Sequence, residues 1–131
     1  MSRLLGLLAT AAFAVGLTSC GDDDSYEAAE SGLRGWLEAV HNGDPAACDL
    51  MTEEYRRDFV AQVDPSVSCS QAVKSVASNP GNDLPTAQSG MDAPAWDPSG
   101  EALIEVTYDQ QVVGFWMQLA EGRWIVAGTA T

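Results

Sequence analysis

Apolar residues recur along this chain in two rhythms, and the switch between them divides it. In the first rhythm Tyr26, Ala29, Leu33, Trp36, Leu37 and Val40 follow one another at three and four residues. That spacing puts them on one face of a helix. Glu30, Arg34 and Glu38 fall on the other face as two i,i+4 pairs. Gly43 is suited to close this helix with a left-handed residue. Asp44-Pro45 then offers an N-cap and a first helical position for a short second helix carrying Ala46, Ala47, Cys48, Leu50 and Met51. Thr52 can cap a third segment from Glu53 to about Gln62, with Tyr55, Phe59 and Val60 apolar, and Asp64-Pro65 breaks it. Ser68 and Gln71 have the spacing of a capping box. Behind them Cys69, Ala72, Val73, Val76 and Ala77 again sit at helical spacing.

Residues 79–100 carry neither rhythm. Pro80, Gly81, Pro85, Gly90, Pro94, Pro98 and Gly100 punctuate them, which reads as loops around one weak strand, Thr86 to Met91. Trp96, between two prolines, either plugs the edge of the core or is an exposed contact residue. The second rhythm then begins, with a period of two. Ile104, Val106 and Tyr108 alternate on one strand; Val113, Phe115, Met117 and Leu119 alternate on the next. Val112 and Trp116 occupy the opposite face of that strand, so apolar residues lie on both its faces, as in a central strand. Asp109-Gln110 and Glu121-Gly122 are two-residue hairpin turns, and Trp124-Ile125-Val126 opens a last strand. Helices first and an antiparallel meander afterwards is an α+β segregation: N-terminal helices packed on an antiparallel sheet.

The extreme N-terminus belongs to neither part. Arg3 is followed by an uncharged stretch from Leu4 to Leu17. That is shorter than the roughly 20 residues a spanning helix needs. It ends in Leu17-Thr18-Ser19-Cys20, which resembles the lipobox of bacterial lipoproteins. The resemblance implies that residues 1–19 are a signal peptide and that Cys20, acylated on sulfur, becomes the first residue of the mature chain. It also implies that the protein is anchored in the cell membrane on its extracytoplasmic side. Residues 20–25, with Asp22, Asp23 and Asp24, would be an acidic tether, and 26–131 the folded domain. Five extended residues span at most about 17 Å, so the domain would stay near the membrane.

The anchor changes the meaning of the cysteines. The chain has three. With Cys20 lipidated, Cys48 and Cys69 remain as a pair in an oxidising compartment, where a disulfide between them is expected in preference to two buried thiols. The pair also fits badly with a metal: His41 is the only histidine and no Cys-x-x-Cys spacing occurs. Asp22 to Asp24 lack the spacing of a calcium loop. Nothing in the residues calls for a cofactor.

Charge bears on partners. Nineteen acids face six bases, a net charge of −13, and the leader takes a base with it. Such a surface repels nucleic acid and anionic headgroups. The expected partners are therefore the membrane, through the lipid on Cys20, and an unidentified membrane or cell-wall protein.

The order of elements resembles the nuclear transport factor 2-like superfamily, in which a curved antiparallel sheet and a long N-terminal helix form a cone. The carriers are Leu37-Glu38-Ala39-Val40-His41-Asn42-Gly43-Asp44, the Ala-rich turn after it, and Gly122-Arg123-Trp124-Ile125-Val126. Small lipoproteins that look like this, with two Cys placed like Cys48 and Cys69, are common in high-GC Gram-positive bacteria. All but one of the bases are Arg, a bias in keeping with such a genome. The resemblance implies a fold but no activity, since the superfamily holds isomerases, cyclases, dehydratases and non-catalytic modules. Sheet-to-sheet homodimers are frequent in it.

The residues themselves offer little for catalysis. His41 sits at a helix end, where the dipole favours its cation. Tyr55 and Asp58 could form an acid–base pair, but read as core and solvent positions. Glu105 shares a face with Leu103 and Thr107, opposite the more apolar one. No Ser-His-Asp set or phosphate loop is present. Catalysis is therefore not expected. Two other readings remain. One is a ligand-binding cone lined by Trp36, Phe115, Met117 and Trp124. The other, preferred here, is an interaction or accessory module that docks through its sheet. An exposed apolar sheet face over a filled interior distinguishes the second from the first.

Overall fold

In the computed structural model, residues 26–79, 81–82, 84–97 and 100–130 are described, residues 96 and 97 by their backbone only. The proposed leader, Cys20, the acidic tether and the proposed role of the Trp96 side chain lie outside what is described.

Local signals determine where the helices begin and end. Helix α1 runs Tyr26–His41. Gly43 ends it at φ +69°, with Asp44 N–H bonded to the Ala39 carbonyl (2.8 Å) and Gly43 N–H to that of Val40 (3.1 Å). Those two bonds are the Schellman pattern. Asp44 then accepts from Ala46 N–H at 2.9 Å and starts a single 3-10 segment, Pro45–Leu50, where a short helix was expected. Thr52 accepts from Tyr55 N–H (3.1 Å) at the head of α2, Glu53–Val63. The Ser68–Gln71 capping box is made in both directions, at 3.2 and 3.1 Å, ahead of α3, Cys69–Ser78.

The sheet is a four-stranded antiparallel meander in the order β1-β2-β3-β4. Its strands are β1 Gly90–Asp97, β2 Glu101–Tyr108, β3 Gln111–Ala120 and β4 Arg123–Ala130. Two-residue turns join the last three, with positive φ at Asp109, Gln110, Glu121 and Gly122. Positive φ at both central residues matches the right-handed twist of the strands. The expected strand at Thr86–Met91 is corrected. Thr86 to Ser89 form a turn, closed by Ser89 N–H on the Thr86 carbonyl (3.1 Å), and the strand starts at Gly90. Pro94 inside it is tolerated because β1 is an edge strand, bulged between Asp92 and Ala95. Proline, bulge and Asp92 also blunt this edge against further strands. The free edge of β4 is partly covered: Met51 bridges Val126 in parallel, and Thr52 N–H donates to the Val126 carbonyl at 2.9 Å.

One face of the sheet meets the helices. Ala102, Ile104 and Val106 of β2, Phe115 and Met117 of β3, and Trp124 and Val126 of β4 are buried there against Leu33, Trp36, Leu37 and Val40 of α1. Tyr55, Phe59, Ala72 and Val73 bring α2 and α3 into the same core. Helix α1 lies closest at Gly32, where a Cβ would stand 2.7 Å from the Trp124 carbonyl oxygen. Cys48 and Cys69 are disulfide-bonded, their Cα atoms 6.1 Å apart, tying the 3-10 segment to the start of α3. No helix among the described residues is long and apolar enough to cross a membrane.

Candidate interaction surface

The residues proposed to line a cone are the centre of the core. Trp36 and Phe115 are wholly inaccessible, and Met117 and Trp124 nearly so. The Trp36 ring packs edge-on against Phe115 at 5.8 Å and Phe59 at 6.2 Å, and tilted against Tyr55 at 6.1 Å. Its Nε1–H has no hydrogen-bond partner among the described residues.

The acid–base candidates are not brought together. His41 donates from Nε2 to the Pro85 carbonyl at 2.8 Å, and beside it a cleft of about 290 Å³ is lined by Glu38, Asn42 and residues 86–88. Seven residues earlier on α1, Arg34 donates to the carbonyls of Ala87 and Ser89 rather than lying free in solvent. Both side chains thus serve to hold the 85–89 turn against α1. Tyr55 is buried, and burial, with Asp58 nearby, pushes its hydroxyl up to about 12. Asp58 is exposed and lines a cleft of about 530 Å³ with Arg56, Arg57 and Cys69. Arg56 is engaged there with the Cys48 carbonyl at 3.1 Å. Glu105 stands on the sheet face away from the helices, as its register implied. Among the described residues no group of three His, Cys, Asp or Glu could hold a metal ion.

Sequence reasoning expected docking through the sheet but did not name the residues that expose its far face. Strand β3 is central, as its pattern implied, but its second face is not covered. Val112 is 62% and Trp116 42% exposed there. The register explains why. Trp116 stands between Leu103 on β2 and Gly128 on β4. Gly128 presents no side chain to the indole, and a Cβ there would meet nothing described within 4 Å. A bulge between Trp116 and Met117 further shifts β4 at this point. Neighbouring rows bring Val112, Ile125 and Ala130 to the same face, with the carboxylates Asp92, Glu101 and Glu105 toward β1 and β2. The base in these rows, Arg123, sends its guanidinium to the Asp49 carbonyl at 3.3 Å. The result is an apolar centre with an acidic margin. Its sequence signal was an apolar pair, Val112 and Trp116, out of phase with the buried alternation.

Comparison of the chain with protein families, characterised proteins and solved structures finds no match.

Proposed function

We propose that this protein is a lipoprotein held at the extracytoplasmic face of the cell membrane through Cys20, and that it acts there as a non-catalytic interaction module. The partner is another membrane or cell-wall protein, with an apolar surface margined by basic side chains, that docks on the outer face of the sheet. The domain is read as a small relative of the nuclear transport factor 2-like cone. The helix-then-meander order and α1 lying across the inner face support that reading. The observation that carries the functional proposal is Trp116, exposed in the middle of an apolar sheet face while the inner face is filled.

Charge chooses among occupants. The acidic margin and the net charge of −13 disfavour nucleic acid and anionic lipid headgroups. A second copy docked about a two-fold axis would set identical patches against each other, and with them Glu101 and Glu105 of both chains. A basic-margined protein meets neither objection. Covering a large apolar side chain gains about 1.5–3 kcal/mol, so Val112 and Trp116 together supply a useful part of such an interface. The small-ligand cone is the weaker alternative, because Trp36 and Phe115 already pack on each other.

Complementation of a deletion strain tests the proposal. Val112→Asp and Trp116→Ala, folded and at normal protein level, are expected to lose function, as is Cys20→Ala, which also leaves the membrane fraction. His41→Ala and Asp58→Ala are expected to retain function. Loss of function in Asp58→Ala with the fold intact, alongside full function in Trp116→Ala, would overturn the reading in favour of an enzyme. A full-length chain that sediments as a dimer, broken by Val112→Asp, would assign the face to a second copy.

A further inference from the structure

Beside Trp116 the outer face is not flat. A cleft of about 330 Å³ is lined by Glu101, Trp116, Met117, Gln118 and Ala127. Its origin is the bulge: Trp116 pairs with Gly128 and Met117 with Val126, leaving Ala127 as the extra residue of β4. Glu101 pairs with Gln118, one row from the Leu103–Trp116 pair, so carboxylate and indole are diagonal neighbours on one face. Diagonal neighbours lie roughly 7–8 Å apart, within reach of one shared ligand group. Among the described residues no hydrogen bond or ion pair engages the Glu101 carboxylate.

We propose that this cleft is a subsite for a cationic side chain, a guanidinium or ammonium, presented by the partner protein. The inference rests on the outer face being the docking surface and names the chemistry the partner brings to it. An exposed indole face attracts a cation through its quadrupole. The Glu101 carboxylate supplies the opposite charge, and the Gln118 amide oxygen is a further acceptor for N–H donors. A guanidinium satisfies all three at once, because its plane stacks on an aromatic ring while its edge donates. An anion would face Glu101 with no base beside it, since Arg123 is turned to Asp49. The carrier is a protein surface rather than a free cation, because Leu103 and Ile125 beside the cleft, and Val112 farther along β3, need an apolar cover.

The test uses the full-length chain, labelled with ¹⁵N, and follows the indole N–H resonance of Trp116, identified by its loss in Trp116→Phe. The probes are Nα-acetyl-arginine amide and its neutral counterpart, Nα-acetyl-citrulline amide. The arginine compound is expected to shift the Trp116 resonance saturably in the millimolar range and the citrulline compound to leave it nearly unmoved. Glu101→Gln should weaken the response about fivefold, the scale of one exposed charge contact. Equal shifts from both probes, no shift from either, or full binding by Glu101→Gln would each overturn the inference. These failures are separable from failure of the docking reading. If they occur while Val112→Asp and Trp116→Ala still lose function in cells, the face docks a partner of other chemistry. If those two variants complement fully, the docking reading itself falls.

Discussion

Two glycines three residues apart on α1 are expected to answer alanine in opposite ways. Gly32 faces β4, and a Cβ there would stand 2.7 Å from the Trp124 carbonyl oxygen and 3.0 Å from its Cβ. Ordinary contacts begin at 3.4 Å, so the helix or the strand would have to give. Neither gives easily, because Leu33, Trp36, Leu37 and Val40 are fully buried on the same helix. Overpacking of this kind costs about 1–3 kcal/mol. Alanine recovers up to about 1 kcal/mol through its helix propensity. The net expectation for Gly32→Ala is a loss of about 1–2 kcal/mol, or a Tm lower by about 5–10 °C. At Gly35 a Cβ would meet nothing within 4 Å. Only the propensity gain remains, so Gly35→Ala should stabilise by about 0.5–1 kcal/mol and raise Tm by several degrees. Thermal and urea unfolding, followed by circular dichroism with the disulfide intact, measure both. Stabilisation by Gly32→Ala, or the same sign for the two variants, would refute the close approach of α1 to β4.

Further consequences follow from the disulfide and from Tyr55. The Cys48–Cys69 bridge closes a separation of 21 residues, and its reduction should cost about 2–4 kcal/mol in urea unfolding; free thiols in protein taken from its native compartment would contradict the pairing. Burial raises the Tyr55 hydroxyl from 10.0 to about 12, so its contribution to stability is whole below pH 10 and is lost as the pH climbs to 12. Spectrophotometric titration near 295 nm should find a late ionisation step near pH 12, and Tyr55→Phe should abolish it.

The parts of this fold that could be read in advance are the ones specified locally. Asp44, Thr52 and the Ser68–Gln71 pair each act within three residues, and each makes the bond its position implied. Strand β1 was misplaced because Pro94 and the bulge mask its pattern and its pairing with β2 is not local. Arg34 looked like a member of helical ion pairs, but its carbonyl partners lie 53 and 55 residues away, beyond any spacing argument. The alternation along β3 told which face Trp116 occupies. Whether that face is covered depended on Gly128 opposite it, which only the register reveals. The same limit applied to Trp36, Phe115, Met117 and Trp124: their inward direction was legible, the filling of the space between them was not.

If the outer sheet face docks a partner, the surface around Trp116 is covered where the protein works. Hydroxyl-radical footprinting read by mass spectrometry gives this directly, comparing the protein in native membranes with the same protein after purification. Trp36, wholly inaccessible, serves as the internal reference and should stay unoxidised in both. Trp116, 42% exposed, should be oxidised readily in the purified protein and protected several-fold in native membranes. Equal oxidation of Trp116 in the two preparations would contradict the claim that a partner docks on this face.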